Sequence, residues 1–135
     1  MHEVKYTYRS PSVSEYQMLR ATTSWDQFDD TVIRKSLEKD LFAIVAEHES
    51  SAIGMARIIG DGALYFYVQD VIVHPRFQGM GIGKQLMQRI ESFLKDHAPT
   101  SAFIGLMAAS GTREFYEDFG YKIRPADGPG MYRIM

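Results

Sequence analysis

The sequence predicts a mixed α/β fold in which one mixed β-sheet lies between helices in three layers. Segments with strand and helix patterns alternate in the order β-α-α-β-β-β-α-β-α-β-β, and no linker, repeat or low-complexity tract interrupts them. The length of 135 residues and the apolar fraction of 45% suit one globular domain over residues 1–135. We therefore expect a continuous core, with helices on both faces of the sheet.

The N-terminal part of the chain predicts one strand followed by two helices. Residues 4–8 alternate between apolar and polar side chains, which is typical of a strand. Ser12 and Glu15 have the spacing of a capping box, so a helix should begin there and run to about Arg20. After a polar segment, a second helix is predicted to start near Asp30.

Three strands joined by tight turns are predicted next. Residues 41–46 form a compact apolar run, which is typical of a buried strand. Residues 47–51 turn the chain, and residues 52–59 return it as a second strand. The glycines within 60–62 predict another hairpin turn, which leads into a long strand over 64–73.

The most informative stretch is the glycine-rich run Gln-Gly-Met-Gly-Ile-Gly at residues 78–83, where a strand is followed by a helix. His74 and Pro75 end the strand, and apolar residues then recur at helical spacing up to about Pro99. Alternate glycines leave backbone N–H groups uncovered at the positive end of the helix dipole. This run therefore predicts a site for an anion, most simply a phosphate or pyrophosphate.

Two familiar phosphate-binding loops do not match this spacing. A dinucleotide fingerprint needs glycine at position 84, where the chain has Lys84. A P-loop ending at Gly83 and Lys84 needs glycine at position 78 and Ser or Thr at position 85, where the chain has Gln78 and Gln85. Neither of these two loops therefore explains the run, and an ordinary glycine-rich turn is the alternative to a phosphate site.

The remaining segments complete the predicted order of elements. Residues 102–107 have a strand pattern, and a short helix should follow within 111–120. Gly120 fits the left-handed position that closes a helix. Two last strands are predicted near 121–124 and 130–134.

The glycine-rich run resembles the acyl-CoA-binding segment of the GNAT superfamily of N-acetyltransferases. That segment has Arg or Gln, two residues, Gly, one residue, and then Gly or Ala, and Gln78, Gly81 and Gly83 match it. A second segment, residues 115–121, resembles the superfamily's later short helix, which ends in glycine. Two matches in the right order identify the chain as resembling this superfamily.

The resemblance implies how the fold would hold acetyl-CoA, which serves as acyl donor. In the superfamily, the strands that match 64–73 and 102–107 start parallel and then splay apart, and the pantetheine arm of CoA enters the gap. The backbone from 78 to 84 would hold the pyrophosphate, with Arg76 and Lys84 either as nearby cations or as ordinary surface charges. The residues that the resemblance places at the cofactor are Val71, Ile72, Val73, Gln78, Gly79, Met80, Gly81, Ile82, Gly83, Lys84, Thr112 and Phe115. Thr112 departs from the superfamily pattern, which often has Asn there.

Two residues are implied as catalytic. Tyr116 matches the superfamily's usual general acid, which stabilises the leaving thiolate; the alternative is that it only packs beside Phe115. Asp70 matches an acidic residue seen in some members, where it could deprotonate the amine. A water-relay or substrate-orienting role and a purely structural role for Asp70 stay open alongside it.

The acceptor wall is expected around the aromatic residues Trp25 and Phe28, together with Asp29. Aromatic rings and carboxylates would suit a cationic amine. The alternative is that the aspartate caps a helix while the aromatic residues fill the core. Tyr65 and Tyr67 share one strand face, so they either line the acceptor cleft or belong to the core.

Composition narrows the class of protein. A net charge of −2, from 15 basic and 17 acidic residues, gives no basic field for nucleic acid, and no run reaches transmembrane length. The four histidines lack metal-binding spacing, so no metal is expected, and the absence of cysteine excludes a cysteinyl acyl-enzyme. A cytoplasmic location is the default expectation. Whether residues 121–135 pair with a second subunit, giving a homodimer, stays open.

The predicted function is N-acetyl transfer from acetyl-CoA to a primary amine of a small molecule, by direct attack in a ternary complex. One alternative is acetylation of a protein N-terminus or lysine. The other is an acyl-CoA-binding module without catalysis.

Overall fold

The computed structural model describes residues 3–135 and confirms the mixed α/β fold. The described elements alternate much as the sequence predicts, with a single 3-10 turn added after the long strand. In chain order they are β1 (Val4–Thr7), α1 (Val13–Arg20), α2 (Asp30–Leu37), β2 (Phe42–His48), β3 (Ser51–Gly60), β4 (Tyr65–Val73), a 3-10 turn (Pro75–Phe77), α3 (Ile82–His97), β5 (Phe103–Gly105) and α4 (Arg113–Glu117).

The strands form one mixed sheet in the order β1-β2-β3-β4-β5. Each neighbouring pair from β1 to β4 is antiparallel. Hairpin turns join β2 to β3 and β3 to β4, whereas α1 and α2 lie between β1 and β2 in the chain. Only β5 runs parallel to its neighbour, and its three residues pair with Tyr65, Phe66 and Tyr67 of β4. Since β4 continues to Val73 without β5 beside it, the sheet opens between these two strands.

Helices cover both faces of the sheet, as predicted. On one face, α1 and α2 pack over a cluster that includes Leu19, Ile33 and Met55. On the other face, α3 packs over a larger cluster through Leu86 and Ile90. Within residues 3–135, no helix is both long and apolar enough to cross a membrane.

A β-bulge in β4 changes which way its side chains point. Met55 of β3 pairs with Ile72 and Arg57 pairs with Gln69, so two residues of β4 stand opposite one residue of β3. The extra residue is Asp70, which has a left-handed φ of 55°. Before the bulge, Phe66 and Val68 face α3; after it, Val71 and Val73 face α3. Ile72, which lies between Val71 and Val73, faces the other way and belongs to the cluster under α1 and α2.

The predicted capping box at the start of α1 is present. The Glu15 N–H donates to the Ser12 hydroxyl oxygen at 3.1 Å, and the Ser12 N–H donates to a Glu15 carboxylate oxygen at 2.8 Å. Arg9 binds the same carboxylate through two N–H groups, at 2.8 and 3.0 Å. These interactions attach the start of α1 to the segment after β1.

The C-terminal segment differs from the prediction. Residues 121–124 and 130–134 form no strands, and β5 spans 103–105 rather than 102–107. A strand needs a partner edge and a surface to pack on, and the residues of the segment itself do not specify either. Large apolar side chains of this tail are exposed instead, namely Ile123, Met131, Tyr132, Ile134 and Met135.

We expect Glu15→Gln to destabilise the protein at neutral pH and to remove part of its acid sensitivity. The hydrogen bonds from Arg9 are the main reason that the Glu15 pKa is lowered to about 2 from its usual 4.5. A depressed pKa in the folded state gives stability that is full above about pH 4.5 and is lost as the pH falls towards 2. After solvent screening, the difference should be on the order of 1 kcal/mol.

Urea unfolding of both proteins between pH 2 and 7 measures this difference. Glu38→Gln, which changes an exposed carboxylate just after α2, is the matched control. If the wild type and Glu15→Gln lose stability in parallel as the pH falls, the Arg9–Glu15 interaction does not contribute as described.

Candidate active site

The glycine-rich loop leads directly into α3. Gly81 is the residue before the helix and has a left-handed φ of 81°, and Gly79 has a φ of 80°. A methyl group added at either position would have no atom within 4 Å, so the space above both residues is open. Within the described chain, none of the six backbone N–H groups from Gly79 to Lys84 donates a hydrogen bond. Six N–H groups without an internal hydrogen bond thus lie at the N-terminus of a sixteen-residue helix. This arrangement favours the binding of an anion.

The loop is fixed to the end of β4 by polar side chains. Gln78 donates through Nε2 to the Val73 carbonyl oxygen at 2.9 Å, and the His74 ring accepts from the Arg76 N–H at 3.1 Å. Arg76 and Lys84 are themselves exposed. Their side chains can therefore reach an anion in the loop without first breaking a buried contact.

The open edge of β4 carries the backbone donors predicted for pantetheine. The His74 N–H points towards β3, where it donates to the Ile53 carbonyl oxygen at 2.7 Å. Successive N–H groups of a strand point to opposite edges, so those of Val71 and Val73 point to the β5 side. Pairing with β5 ends at Tyr67, so no strand occupies that edge. The Ile72 N–H points the other way, to β3.

Helix α4 brings Tyr116 beside this region. A methyl group added on Gly83 would lie 3.6 Å from the Phe115 ring and 3.8 Å from Val73, so α4, the first turn of α3 and the end of β4 meet. Tyr116 follows Phe115, with the two rings edge to face at 5.0 Å, and is 9% exposed. Burial raises the pKa of Tyr116, so its hydroxyl keeps its proton through the neutral range. That hydroxyl has no hydrogen-bond partner among residues 3–135.

Thr112, just before α4, is occupied locally. Its hydroxyl donates to the Ala109 carbonyl oxygen at 2.7 Å, which closes the turn that leads into the helix. This turn positions α4. A hydrogen bond from the Thr112 hydroxyl to a cofactor would have to replace the one to Ala109.

Asp70 lies in a buried cluster of charged groups on the α1 and α2 face. One carboxylate oxygen accepts from Arg20 at 3.1 Å, and the other accepts from Arg57 at 2.8 Å and from the Tyr16 hydroxyl at 2.7 Å. Arg57 also binds Asp40 at 2.7 Å. Desolvation, followed by the Asp70 charge, raises the Tyr16 pKa to about 12, so Tyr16 remains a donor. Asp70 is 3% exposed.

The predicted acceptor wall assembles around Arg20. The guanidinium carbon of Arg20 lies 5.5 Å from the centre of the Trp25 ring and 4.9 Å from that of Phe28. Phe28 is 48% exposed, whereas Trp25 is partly buried against the core. Asp29 occupies the N-cap of α2, but its side chain makes no capping hydrogen bond there.

Tyr65 and Tyr67 lie on the face of β4 that carries Asp70, next to β5. Tyr65 is exposed, and its ring centre lies 6.2 Å from that of Phe103. Tyr67 is half-buried, and desolvation raises its pKa. Neither ring belongs to the buried core clusters, so both are available to line the acceptor side.

A cleft of about 560 Å³ lies elsewhere, between the outer edge of β5, α4 and residues 119–124. Tyr116 is the predicted catalytic residue that lines it, and the glycine-rich loop does not. We therefore locate the candidate site at the opening between β4 and β5, where the backbone donors converge, rather than in this cleft.

Sequence reasoning missed the partners that Asp70 has on other elements, which are Tyr16, Arg20 and Arg57. Arg57 carried a usable signal, because it interrupts the otherwise apolar run of β3. A charged side chain in a buried strand requires a partner of opposite charge. Nothing in the sequence indicates that this partner is Asp70 rather than another carboxylate.

The described residues contain no group of three or more His, Asp or Glu side chains that could hold a metal ion. What lies together is a row of backbone donors, a strand edge without a neighbouring strand and helix α4, which carries a protonated phenol. This set can hold an anion and an extended chain, and it can donate a proton or hydrogen bond where that chain ends.

Comparison with known proteins agrees with this arrangement. The family model for the acetyltransferase (GNAT) domain matches residues 9–127. The chain is 30% identical over 121 residues to an uncharacterised ycf52-like N-acetyltransferase of Prochlorococcus marinus, covering 87% of this chain and 66% of the other. It is 34% identical over 86 residues to the chloroplastic GCN5-related N-acetyltransferase 2 of Arabidopsis thaliana, covering 64% and 33%.

Solved structures show the same fold. A protein of unknown function from meticillin-resistant Staphylococcus aureus, named a probable acetyltransferase, superposes with a TM-score of 0.92 at 29% identity, covering 98% of this chain and 100% of the other. An aminoglycoside N-acetyltransferase in complex with CoA superposes with a TM-score of 0.72 at 14% identity, covering 99% and 96%.

The chain therefore belongs to the GNAT family of acetyltransferases. It spans about one third to two thirds of the length of the curated relatives described above. The predicted resemblance and fold class are thereby confirmed.

We expect Gly81→Ala to weaken CoA binding about tenfold. The left-handed φ of Gly81 strains any other residue by about 1 kcal/mol, and a methyl group would project into the open space of the loop. Calorimetric titration with CoA measures the loss.

Gly62→Ala is the matched control, because Gly62 has a φ of 77° at the distant β3–β4 turn and only the Leu41 side chain nearby. Gly62→Ala should lower the free energy of unfolding by about as much as Gly81→Ala and should leave CoA affinity unchanged. Equal affinity in both variants would contradict a loop that holds the cofactor.

Proposed function

We propose that the protein is an acetyl-CoA-dependent N-acetyltransferase that acts on a primary amine of a small molecule, within a ternary complex. The observation that carries this proposal is that six N–H groups without an internal hydrogen bond among the described residues, from Gly79 to Lys84, lie next to the open edge of β4 and next to α4, the helix that carries Tyr116. Family membership supports the acetyltransferase class, and the CoA complex of a structural neighbour supports the cofactor.

Successive parts of the cofactor would contact successive segments of the site. The backbone donors of the glycine-rich loop would receive the pyrophosphate, with Arg76 and Lys84 as flanking cations. The N–H groups of Val71 and Val73 would pair with the pantetheine arm along the open edge. When bound, acetyl-CoA supplies an activated acetyl group as a thioester. A backbone donor at its carbonyl is worth roughly 3 kcal/mol in acyl transfer generally.

The transfer balances without a covalent enzyme intermediate. The amine nitrogen bonds to the acetyl carbon, the carbon–sulfur bond breaks, one proton leaves the nitrogen and the sulfur gains one. The chain contains no cysteine that could accept the acetyl group as a thioester. Only about 0.1% of an alkyl amine is unprotonated at pH 7. The form that can attack the thioester is therefore scarce, and the site must bind it in a position to react.

Tyr116 is suited to the departing sulfur. Burial keeps its hydroxyl protonated, and no internal partner among the described residues competes for it. Proton donation from a phenol to an ordinary thiolate is uphill by roughly 2 kcal/mol, so a hydrogen bond that strengthens as the charge develops is the larger effect. The proton lost by the amine can then neutralise the thiolate.

The acceptor would approach from the face where Trp25, Phe28, Tyr65 and Tyr67 lie. Aromatic faces and the carboxylate of Asp29 favour a small cationic amine. The alternatives remain a protein N-terminus or lysine, or an acyl-CoA-binding module without catalysis. A cytoplasmic location stays a prediction, since the relatives include chloroplastic proteins. A homodimer also stays a prediction.

A thiol-release screen tests the proposal directly. Acetyl-CoA is supplied with polyamines, aryl-alkylamines, amino sugars and peptides, and free CoA is measured. Release with a small amine supports the proposal, and release only with peptides supports the protein-directed alternative. CoA binding without release for any amine would indicate the binding module.

We expect Tyr116→Phe to lower kcat at least tenfold while changing acetyl-CoA affinity less than twofold. The phenyl ring keeps the packing against Phe115, so the loss isolates the hydroxyl, a donor of the kind worth several kcal/mol at most in acyl transfer. Steady-state kinetics and calorimetric titration separate the two effects.

Tyr8→Phe is the control, because Tyr8 is exposed beyond β1. It should retain wild-type kcat. Unchanged kcat in Tyr116→Phe would remove the proposed acid while leaving the rest of the site intact.

A further inference from the structure

Asp70 lies at the one irregular point of β4, immediately before the residues that face the cofactor opening. If residues 70 to 73 instead continued the alternation of the preceding residues as a regular strand, each of their side chains and N–H groups would point to the opposite side. Val71 and Val73 would then turn their N–H groups to β3, where no cofactor could reach them. The bulge is therefore what presents these donors to the open edge.

The bulge adopts a conformation that the backbone alone does not favour. Asp70 has a φ of 55°, which strains a residue other than glycine. Other interactions must stabilise this conformation, and the Asp70 carboxylate accepts four hydrogen bonds. Arg20 and Gln69 donate to one oxygen at 3.1 and 3.3 Å, and Arg57 and Tyr16 donate to the other at 2.8 and 2.7 Å. These donors come from α1, β3 and β4 itself.

This environment does not suit a base. Both carboxylate oxygens are already engaged, and the side chain is 1% exposed. Accepting a proton would neutralise the carboxylate between two guanidinium groups, and the only other carboxylate in the cluster, Asp40, binds Arg57. Breaking such a buried ion pair is strongly unfavourable.

The geometry points to Asp70 as a positioning residue. We infer that its ion cluster holds the β4 bulge, and that the bulge aims the Val71 N–H at the carbonyl of the bound thioester. Arg20 extends the same cluster to the acceptor side, because its Nε donates to the Asp26 carbonyl oxygen at 2.6 Å while its guanidinium lies under Phe28. This inference rests on the proposed function for its cofactor, but the bulge itself can be tested without one.

The preference for acetyl-CoA over CoA is the sharpest measurement, because the two ligands differ only in the acetyl group. Asp70→Asn keeps a side chain that tolerates the left-handed region but removes the charge. We expect the ratio of the two calorimetric affinities to fall about fivefold, which corresponds to one lost hydrogen bond. With the best amine from the thiol-release screen, the pH–rate profile should keep its shape at a lower plateau.

Tyr16→Phe covers the case in which Asp70→Asn does not fold, since it removes a single hydroxyl and no charge. It should lower the same ratio by a smaller factor. Asp96→Asn, an exposed carboxylate near the end of α3, is the matched control and should leave the ratio unchanged.

Amide hydrogen exchange provides a readout that needs no cofactor. In both cluster variants, the part of β4 after Asp70 should lose protection at Ile72, whereas Phe66 before the bulge should keep it. Retained protection at Ile72 in both variants would overturn the inference. So would an unchanged affinity ratio, or loss of the acid limb of the pH–rate profile in Asp70→Asn, which is the signature of a base. Failure of the wild type to bind either thioester or CoA would refute the proposed function instead.

Discussion

The site depends on one extra residue in one strand. β4 pairs with β3 on one edge and offers N–H groups to a ligand on its other edge, and the bulge at Asp70 decides which residues supply them. In a regular strand, the N–H groups of Val71 and Val73 would point to β3. The bulge turns them to the open edge, because it shifts the alternation by one residue without ending the pairing. The opening beside β4 then exists because β5 stops after three residues.

Three separate segments meet at that opening, and each supplies what the others lack. The glycine-rich loop offers donors for an anion, and the edge of β4 offers donors for an extended chain. Helix α4 contributes a buried phenol, held close by the contact of Phe115 with the first turn of α3. A methyl group at position 83 would make ordinary van der Waals contacts with Phe115 and Val73, so this packing does not itself require glycine there.

Features set by neighbouring residues could be predicted from the sequence, and features set by distant partners could not. The capping box of Ser12 and Glu15 and the loop around Gly81 depend on a few adjacent residues, and both form as predicted. The final strands depend on a partner edge, and the exposed side chains around Met131 show that none is supplied within the described chain. The role of Asp70 likewise depends on Arg20 and Arg57, which lie 50 and 13 residues away in the chain.

The position of the ion cluster explains why a buried charge is tolerated beside a reaction centre. Val71 and Val73 face α3, whereas Asp70 points to α1 and α2, so the sheet separates the cluster from the side of β4 on which we propose that the cofactor binds. Two guanidinium groups balance the carboxylates of Asp40 and Asp70, and the cluster therefore presents little net charge to an approaching ammonium group. In the proposed mechanism, a carboxylate that is fully engaged in this way contributes through geometry, and the chemistry is assigned to backbone donors and to Tyr116.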